Sequence, residues 1–247
     1  MNTVNSTGTL YLLPTGLGAG SVNDVLPGRA LAIAAHLKYF IAENPKSARA
    51  FLKKAGYPHP LSEAVITTLD KNTPETAIPG LLEPLQQGFD AGLLSEAGCP
   101  AVADPGALLV RAAHQVGIVV IPLVGPSSIL LALMASGLNG QRFSFHGYLP
   151  IEDTARARKL RELEQRSQQD DATQIFIETP YRNDAMLKAL LGNCAAGTLL
   201  CIATDLTLPS EQVRTRHIAD WCNNPLTLDR RPSVFLLLAR EPGRRVT

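Results

Sequence analysis

The 247-residue sequence has few aromatic residues and almost no net charge. Phe, Trp and Tyr make up 5% of the chain, and 23 Lys and Arg residues against 22 Asp and Glu residues leave a formal charge of +1. A charge this small excludes the global positive field that is typical of nucleic-acid-binding domains, while a local basic surface is compatible with it. The composition is that of an ordinary globular protein, long enough for two domains or one large one.

Cysteine and histidine are scarce and scattered. The four cysteines, Cys99, Cys194, Cys201 and Cys222, form no C-x-x-C pair and have no histidine at zinc-ligand spacing, and the five histidines form no cluster. We therefore expect neither a disulfide framework nor a bound metal. The pattern favours a reduced, cytoplasmic protein with incidental thiols.

Long apolar runs are missing as well. The most apolar region, residues 118–134, is interrupted by Pro122, Gly125 and Pro126, whereas a membrane-spanning helix needs about 20 continuous apolar residues. The first residues show neither the basic region nor the apolar core of a signal peptide. We therefore expect no membrane partner and a cytoplasmic location.

What the sequence does contain is an alternation of strand and helix patterns. Strands are predicted at residues 9–13, 38–42, 65–69, 117–124, 174–178, 199–207, 212–218 and 234–239, and a further strand is predicted to end at about residue 94. Helices are predicted at residues 28–37, 47–55, 76–87, 129–136 and 154–169. In the first half this alternation indicates a parallel sheet with helices on both faces. The continuous apolar run at 117–124 is typical of a strand buried on both faces.

Residues 92–106 form the stretch around which the chain is organised. An apolar strand end leads into small residues, the carboxylate of Glu96 and two proline-bearing turns, and a helical pattern follows. Asp104 stands where a helix N-cap belongs, with Pro105 as the first helical residue. In open α/β sheets such a junction holds ligands, and the alternative is a tight turn that binds nothing.

Two other loops have the same character. Gly16, Gly18 and Gly20 follow the first strand, where glycines allow either a tight turn or the close approach of a ligand to the backbone. Ser127 and Ser128 precede the apolar helix, where they either cap it or hold a polar ligand.

Four charged residues are further site candidates. Glu43 ends the second strand, where ligands bind in parallel sheets, and a capping or salt-bridging role is the alternative. Lys46 and Arg49 follow in a basic helix, either as a binding surface or as a solvated face. Arg182 either clamps a phosphate or carboxylate or pairs with Glu178, and the sequence slightly favours the ion pair.

Five motifs occur in a fixed order along nearly the whole chain. They are Gly8-Thr9-Leu10-Tyr11-Leu12-Leu13-Pro14-Thr15, Ser95-Glu96-Ala97-Gly98-Cys99-Pro100, Asp104-Pro105-Gly106, Gly125-Pro126-Ser127-Ser128 and Phe145-His146-Gly147-Tyr148-Leu149-Pro150. With these motifs the chain resembles the tetrapyrrole methylase family. Within that family it is most similar to the branch that methylates the 2′-hydroxyl of a cytidine in 16S ribosomal RNA.

This resemblance implies a fold, a methyl donor and an assembly. The fold would be α/β, with residues 1–142 as a donor-binding domain built on the parallel sheet. Residues 143–247 would form a second α/β domain on a mixed sheet, with the active cleft between the two. The donor would be S-adenosylmethionine, the product S-adenosylhomocysteine, and the protein a homodimer that acts on ribosomal RNA.

The resemblance also assigns roles to residues. The donor contacts would be Pro14, Gly16, Gly18, Ser95, Glu96, Ala97, Gly98, Val102, Asp104, Ser127, Ser128, Tyr181, Ala203, Thr204, Pro232 and Ser233. Glu43 would be the general base or the residue that orients the acceptor, because a ribose hydroxyl needs help to lose its proton. Lys46, Arg49 and Arg182 would contact the substrate.

Three motifs depart from the RNA-methylating branch. Where that branch has Ala-Glu-Asp-(Ser/Thr)-Arg, this chain has Ala42-Glu43-Asn44-Pro45-Lys46. Where the branch has Glu-Ser-Pro-His-Arg, this chain has Glu178-Thr179-Pro180-Tyr181-Arg182. The Glu-Leu-Thr-Lys motif of the branch corresponds to Asp205-Leu206-Thr207-Leu208. The donor side is kept and the acceptor side is altered. Two alternatives to RNA methylation therefore stay open. They are methylation of a tetrapyrrole or other small molecule, and a non-catalytic module that binds the donor or a nucleotide.

Overall fold

The computed structural model describes residues 7–224 and 226–239. The chain forms two compact units, which meet in the sequence between Ser127 and Ser128. The exact domain boundary expected from the sequence, after residue 142, stays a prediction. No helix in the described part of the chain is both long and apolar enough to cross a lipid bilayer.

The first unit is built on a five-stranded parallel sheet. Its strands are β1 (Thr9–Leu13), β2 (Tyr39–Ala42), β3 (Val65–Thr68), β4 (Ala91–Leu94) and β5 (Val119–Pro122), in the order β3-β2-β4-β1-β5. Its helices are α1 (Gly28–His36), α2 (Pro45–Lys54), α3 (Ile78–Leu81), α4 (Glu83–Gln86) and α5 (Ala107–Gln115). Every strand pairing is parallel, as the sequence predicted.

Helices cover both faces of this sheet. Successive side chains of a strand point to opposite faces, and β1 shows the consequence. Tyr11 and Leu13 pack in the cluster that contains residues of α1 and α2. Leu10 and Leu12 pack in the cluster that contains residues of α3, α4 and α5. The predicted two-faced α/β arrangement is therefore confirmed.

Two local predictions for the first unit are wrong in detail. β5 is not buried on both faces, because it is the last strand of the sheet and pairs only with β1, and Val119 is 56% exposed. The helix expected at residues 76–87 is divided into α3 and α4. Pro79 and Pro84 each stand in the first turn of one of them, where the missing proline N–H does no harm, whereas it would break one long helix.

The second unit is built on a mixed five-stranded sheet. Its strands are β6 (Phe143–Tyr148), β7 (Thr173–Ile177), β8 (Leu199–Thr204), β9 (Gln212–His217) and β10 (Ser233–Leu238), in the order β6-β7-β10-β8-β9. Among the strand pairs of the described residues in this unit, only β6–β7 is parallel. Its helices are α6 (Ser128–Ser136), α7 (Asp153–Asp170), α8 (Asn183–Asn193) and α9 (Ile218–Asn223).

A single large cluster holds α7, α8 and α9 on this sheet. Trp221 of α9 is 1% exposed, and its indole N–H donates to the carbonyl oxygen of Leu200 over 3.0 Å. The rings of Phe176 and Phe235 stack at 5.8 Å between centroids. Trp221 is thus a packing anchor of this unit. On the other side, α6 contacts β8, β9 and β10.

Candidate active site

In the first unit, the loops that carry most of the predicted site residues follow adjacent strand ends. Leu94 of β4 is in register with Leu13 of β1 and with Ala42 of β2, and Leu12 is in register with Pro122 of β5. Because all these strands are parallel, their carboxyl ends lie at one edge of the sheet. This edge is where open α/β sheets bind ligands.

The loops after β1 and β4 are bonded to each other. The N–H of Thr15 donates to the carbonyl oxygen of Gly98 over 2.9 Å, and the Ser95 hydroxyl donates to the same oxygen over 2.7 Å. The hydroxyl oxygens of Thr15 and Ser95 are 3.5 Å apart, and both residues are buried. Ser95 therefore supports its loop from inside, while Glu96 and Ala97 are exposed at the tip.

The loop after β5 packs against the same place. A Cβ added to Gly98 would lie 3.2 Å from the carbonyl oxygen of Pro126 and 3.1 Å from Leu17 Cδ2. A Cβ added to Gly125 would lie 2.3 Å from two side-chain carbons of Pro14. The structure therefore brings the Pro14, Ser95–Gly98 and Gly125–Ser127 segments together, as expected for a shared ligand shelf. Gly16 and Gly18 lie farther along the first loop, and Gly18 is exposed.

The segment that follows Gly98 is a strained turn and not a helix start. Ala101 and Ala103 have φ values of 64° and 57°, a left-handed conformation that costs an ordinary residue about 1–2 kcal/mol. Val102, between them, is 49% exposed. Strained backbone of this kind concentrates at functional sites.

The predicted N-cap role of Asp104 is wrong. α5 begins two residues later than expected, at Ala107, with Gly106 as its N-cap. Asp104 Oδ1 instead accepts hydrogen bonds from the N–H groups of Gly106, over 3.1 Å, and Ala101, over 3.4 Å. Since both donors belong to the turn itself, the carboxylate closes the turn before the helix starts. Burial raises the pKa of Asp104, and these two hydrogen bonds oppose the rise.

Glu43 stands among other carboxylates. Burial raises the pKa of Glu43, and so do the negative charges of Asp104, Glu96 and Asp70, while Lys71 acts in the opposite direction. Glu43, Glu96, Asp70 and Lys71 also line an open cavity of about 390 Å³. A half-buried carboxylate with a raised pKa in a cavity is suited to accept a proton.

The alternative of a helix-capping role for Glu43 is not seen. Asn44 caps α2, because its Oδ1 accepts from the N–H of Lys46 over 2.9 Å. Pro45 follows as the first helical residue. Lys46 and Arg49 are exposed on α2, and within residues 7–224 and 226–239 neither forms an ion pair. They are therefore accessible to an anionic partner.

In the second unit, the predicted site residues also gather at one sheet edge. Ser233 at the start of β10 is in register with Thr204 at the end of β8, and Val234 is in register with Ile177 at the end of β7. The loops before β10 and after β7 and β8 therefore meet. Ala203, Thr204 and Ser233 are buried in this edge.

Arg182 pairs with Glu178, as the sequence favoured. Its Nε and Nη2 donate to one oxygen, Oε1, over 2.9 and 2.5 Å, and the N–H of Thr179 donates to the same oxygen over 2.7 Å. The Glu178 side chain is completely buried, while Arg182 keeps 29% exposure. In the described part of the chain the other oxygen, Oε2, has no hydrogen-bond partner.

A second ion pair, which the sequence did not indicate, holds the loop before β10. Arg231 Nε donates to Asp205 Oδ2 over 2.6 Å, and Arg231 Nη2 donates to the carbonyl oxygen of Ser210. The N–H of Asp205 donates to the carbonyl oxygen of Pro232 over 3.0 Å. This network joins the ends of β8 and β10 and so positions Pro232 and Ser233.

Asn183 fastens the same loop from α8. Asn183 and Asp184 are the first residues of α8, where such side chains often cap a helix. The Asn183 amide instead donates to the carbonyl oxygen of Arg231 over 2.7 Å and to the Ser233 hydroxyl over 3.2 Å. Asp184 accepts from the N–H of Leu228 over 2.8 Å. Neither side chain therefore caps the helix. Both partners are more than 40 residues away, which is why local sequence carried no sign of them.

These two edges contain groups for positioning a ligand and for proton transfer. In the described residues no group of three or more His, Cys, Asp or Glu side chains is placed to hold a metal ion. The small-residue loops after β1, β4 and β5 offer backbone groups to a ligand. Glu43 offers a carboxylate beside them, directly after β2, the strand next to β4.

Comparisons with known proteins identify the family. No family model matches the chain. The ribosomal RNA small subunit methyltransferase I of Pasteurella multocida is 33% identical over 216 residues, which cover 87% of this chain and 73% of that protein. The methyltransferase CobJ superposes with a TM-score of 0.63 at 20% identity, covering 98% of both chains. The uroporphyrin-III C-methyltransferase of Thermus thermophilus superposes with a TM-score of 0.52 at 20% identity, covering 94% of this chain and 92% of that one.

The structural likeness establishes the fold, and the sequence identity establishes the family. The parallel first sheet and the mixed second sheet agree with the fold that the motifs implied. The resemblance of the five motifs and the function class that it implied are confirmed. The chain is a methyltransferase of the tetrapyrrole methylase family, and within it belongs with the ribosomal RNA small subunit methyltransferase I proteins.

Proposed function

We propose that this protein transfers a methyl group from S-adenosylmethionine to a ribose 2′-hydroxyl of small-subunit ribosomal RNA. The observation that carries the proposal is the identity to ribosomal RNA small subunit methyltransferase I over 87% of the chain. The first-unit edge supplies the loops in which the family resemblance places the donor.

The chemistry of the first-unit edge fits such a donor. S-adenosylmethionine supplies a methyl group on a positively charged sulfur, which is a good leaving group. Burial raises the pKa of Glu43, and repulsion from the negative charges of Asp104, Glu96 and Asp70 adds to the rise. A cationic ligand beside them would relieve this repulsion. The backbone of residues 95–98, held by Ser95 and Thr15, gives such a ligand a rigid wall.

Glu43 is the residue to which we assign proton transfer. Methyl transfer is an in-line displacement, so most of the catalytic effect comes from holding the acceptor oxygen in line with the methyl group. A ribose hydroxyl must lose its proton as it attacks, and a carboxylate with a raised pKa is a better base than an ordinary one. Lys46 and Arg49, exposed on α2, are assigned to the RNA phosphates.

The remaining assignments are also proposals. Gly16, Gly18, Val102, Ser127 and Ser128 in the first unit are assigned to the donor. The donor contacts proposed in the second unit are Ala203, Thr204, Pro232 and Ser233, and the sequence resemblance adds Tyr181. Arg182 is assigned to the substrate, in addition to its ion pair with Glu178. We further propose a cytoplasmic location and a homodimer, and light scattering on the purified protein tests the dimer.

The two alternative functions have less support. The structural similarity to CobJ and to uroporphyrin-III C-methyltransferase is the support for methylation of a tetrapyrrole, but at 20% identity this similarity shows the fold alone. A non-catalytic binding module is not favoured, because the relatives that share the sequence are named methyltransferases.

Methyl incorporation tests the proposal. The purified protein is incubated with radiolabelled S-adenosylmethionine and with small ribosomal subunits whose RNA was made without modification. We expect label in the RNA, at a nucleotide that resists alkaline cleavage because its 2′-oxygen is methylated. Label in a small-molecule fraction of a cell extract, with none in the RNA, would replace this proposal by the tetrapyrrole alternative.

A further inference from the structure

Tyr181 is an exposed aromatic ring beside an arginine. Its side chain is 78% exposed, and the guanidinium carbon of Arg230 lies 5.9 Å from the ring centroid. A tyrosine this exposed contributes little burial to the stability of its own unit. A flat ring with an adjacent guanidinium is the arrangement on which proteins stack unpaired nucleobases.

The position of the ring is well defined. Tyr181 is the middle residue of a 3₁₀ turn, Pro180–Arg182. Pro180 restricts the backbone at the start of this turn. Arg182 closes the turn, because its N–H donates to the carbonyl oxygen of Thr179 and its guanidinium donates to the carboxylate of Glu178. Because the backbone that carries the ring is already fixed, this turn loses little conformational freedom when a ligand binds to the ring.

The guanidinium is positioned from the other side. Arg230 has a left-handed φ of 58°, and the next residue, Arg231, is tied to Asp205 and Ser210. Arg231 is neutralised by this pair. Arg230 has no ion pair in the described residues, although the exposed Asp229 is its neighbour in sequence. Its charge is therefore largely available to a ligand.

Further cations follow on the edge strand β9. Arg214 and Arg216 alternate along β9 and so share one face of the sheet. Arg216 lies 5.1 Å from the ring of the buried Trp221, and neither arginine forms an ion pair within the described ranges. β9 begins two residues after Ser210, which contacts Arg231. β9 is the last strand of its sheet, and β10 and β8 separate it from β7, which leads to the Tyr181 turn. The β9 arginines therefore add positive charge along that edge of the same sheet, at a distance from the turn itself.

We propose that Tyr181 and Arg230 form a stacking platform for an unpaired base of the RNA substrate, with Arg214 and Arg216 on the edge strand β9 contacting phosphates farther along the RNA. The inference rests on the proposed function and deepens it by naming a substrate contact. It moves Tyr181 from the donor, where the family resemblance placed it, to the RNA. The reason is that Ala203, Thr204 and Ser233 are buried in the sheet edge, whereas the Tyr181 ring is open to solvent.

Binding of a fluorescent single-stranded RNA tests the platform. The probe is an oligocytidine of about ten nucleotides, within the range that nucleic-acid-binding folds cover, and full-length protein is titrated at low and moderate salt. We expect Tyr181→Ala to weaken RNA binding about 5- to 100-fold, the range for loss of one stacked base. Tyr181→Phe keeps the ring and should retain the affinity. Arg230→Ala should weaken binding and reduce its dependence on salt.

Two control variants and one control ligand complete the design. Tyr148→Ala removes another exposed tyrosine, and Arg111→Ala removes an exposed arginine of the first unit. Neither should change RNA affinity by more than about twofold, because Tyr148→Ala removes no charge and the single charge removed in Arg111→Ala is screened by salt. S-adenosylhomocysteine affinity, measured by calorimetry on the same preparations, should be the same in all variants.

The outcomes separate this inference from the proposed function. Unchanged RNA affinity in Tyr181→Ala, with wild-type protein that binds and methylates RNA, overturns the platform alone. A loss of S-adenosylhomocysteine affinity in Tyr181→Ala would show that the ring contacts the donor, and it would also overturn the platform. RNA binding that needs Tyr181, without methyl transfer to ribosomal RNA, overturns the proposed function and leaves the platform. A wild-type protein that binds no RNA overturns both.

Discussion

The N–H of Thr15 donates to the carbonyl oxygen of Gly98, which joins the loops after two neighbouring strands, β1 and β4. These residues are more than 80 positions apart in the sequence. Gly98 has a φ of 73°, a conformation that only glycine adopts without strain. The carbonyl that receives the bond is therefore positioned by a residue that has no side chain.

This geometry predicts two effects of Gly98→Val. The added side chain meets Leu17 Cδ2 and the carbonyl oxygen of Pro126 at 3.1 and 3.2 Å, and the positive φ adds about 1–2 kcal/mol of strain. We expect a lower melting temperature, and a loss of S-adenosylhomocysteine affinity of tenfold or more, about 1.4 kcal/mol. Calorimetry well below the melting temperature measures the second effect. Gly140→Val is the control, because nothing lies within 4 Å of its added Cβ.

Glu43→Gln should slow methyl transfer and stabilise the protein at neutral pH. Loss of a general base typically costs about 10²- to 10⁴-fold in rate. The pKa of Glu43 is raised above 4.5 in the folded protein, so its favourable contribution to stability is present at low pH and lost as pH rises through the raised value. Removing the charge should therefore raise the melting temperature at pH 7. An equal rate in the mutant, on folded protein, would remove Glu43 from the mechanism.

The same raised pKa predicts the pH dependence of the reaction. The carboxylate accepts a proton only when ionised, and kcat/KM follows ionisation of the free enzyme, so kcat/KM should increase with pH through a value above 4.5. In Glu43→Gln this limb of the pH profile should disappear. A profile that keeps the limb in the mutant would assign it to another group.

Arg182→Ala should destabilise the second unit. The mutation leaves the completely buried carboxylate of Glu178 without its cation, which costs about 3 kcal/mol when such a pair is broken from one side. The double variant Glu178→Gln with Arg182→Ala removes the buried charge as well and should recover most of the loss. Thermal unfolding of the three proteins measures this, and methyl transfer per folded molecule shows whether Arg182 also contacts substrate.

Donor binding should need no metal. We expect S-adenosylhomocysteine to bind with the same affinity in the presence and absence of a chelator, since the proposed donor contacts are backbone and small side chains. Calorimetry in both buffers checks this. A loss of affinity on chelation, restored by adding back one divalent metal, would contradict it.

Several long-range contacts could not be predicted from the sequence. The strands were predictable because their apolar runs are strong local patterns, and the Glu178–Arg182 pair was predictable because its members are only four positions apart. The bonds of Asn183 to Arg231 and of Arg231 to Asp205 span 48 and 26 residues. Nothing near these residues indicates their partners, so a helix cap was the natural interpretation for Asn183.

Asp104 shows a different limit. Aspartate before proline fits the start of a helix, yet the carboxylate bonds the N–H groups of Ala101 and Gly106. The decisive factor was the left-handed backbone of Ala101 and Ala103. An alanine in the sequence gives no indication of such a conformation. A glycine at either position would have signalled the turn.

The sequence by itself determined the alternation of strands and helices, the family, and the loops to which the site is proposed to belong, because these depend on local hydrophobic periodicity and on ordered motifs. Only the tertiary structure decided which strand lies at the sheet edge, which carboxylates share the cavity beside Glu43, and which loops are bonded to each other. These depend on the order of strands in the sheet, which brings residues far apart in the chain within hydrogen-bonding distance.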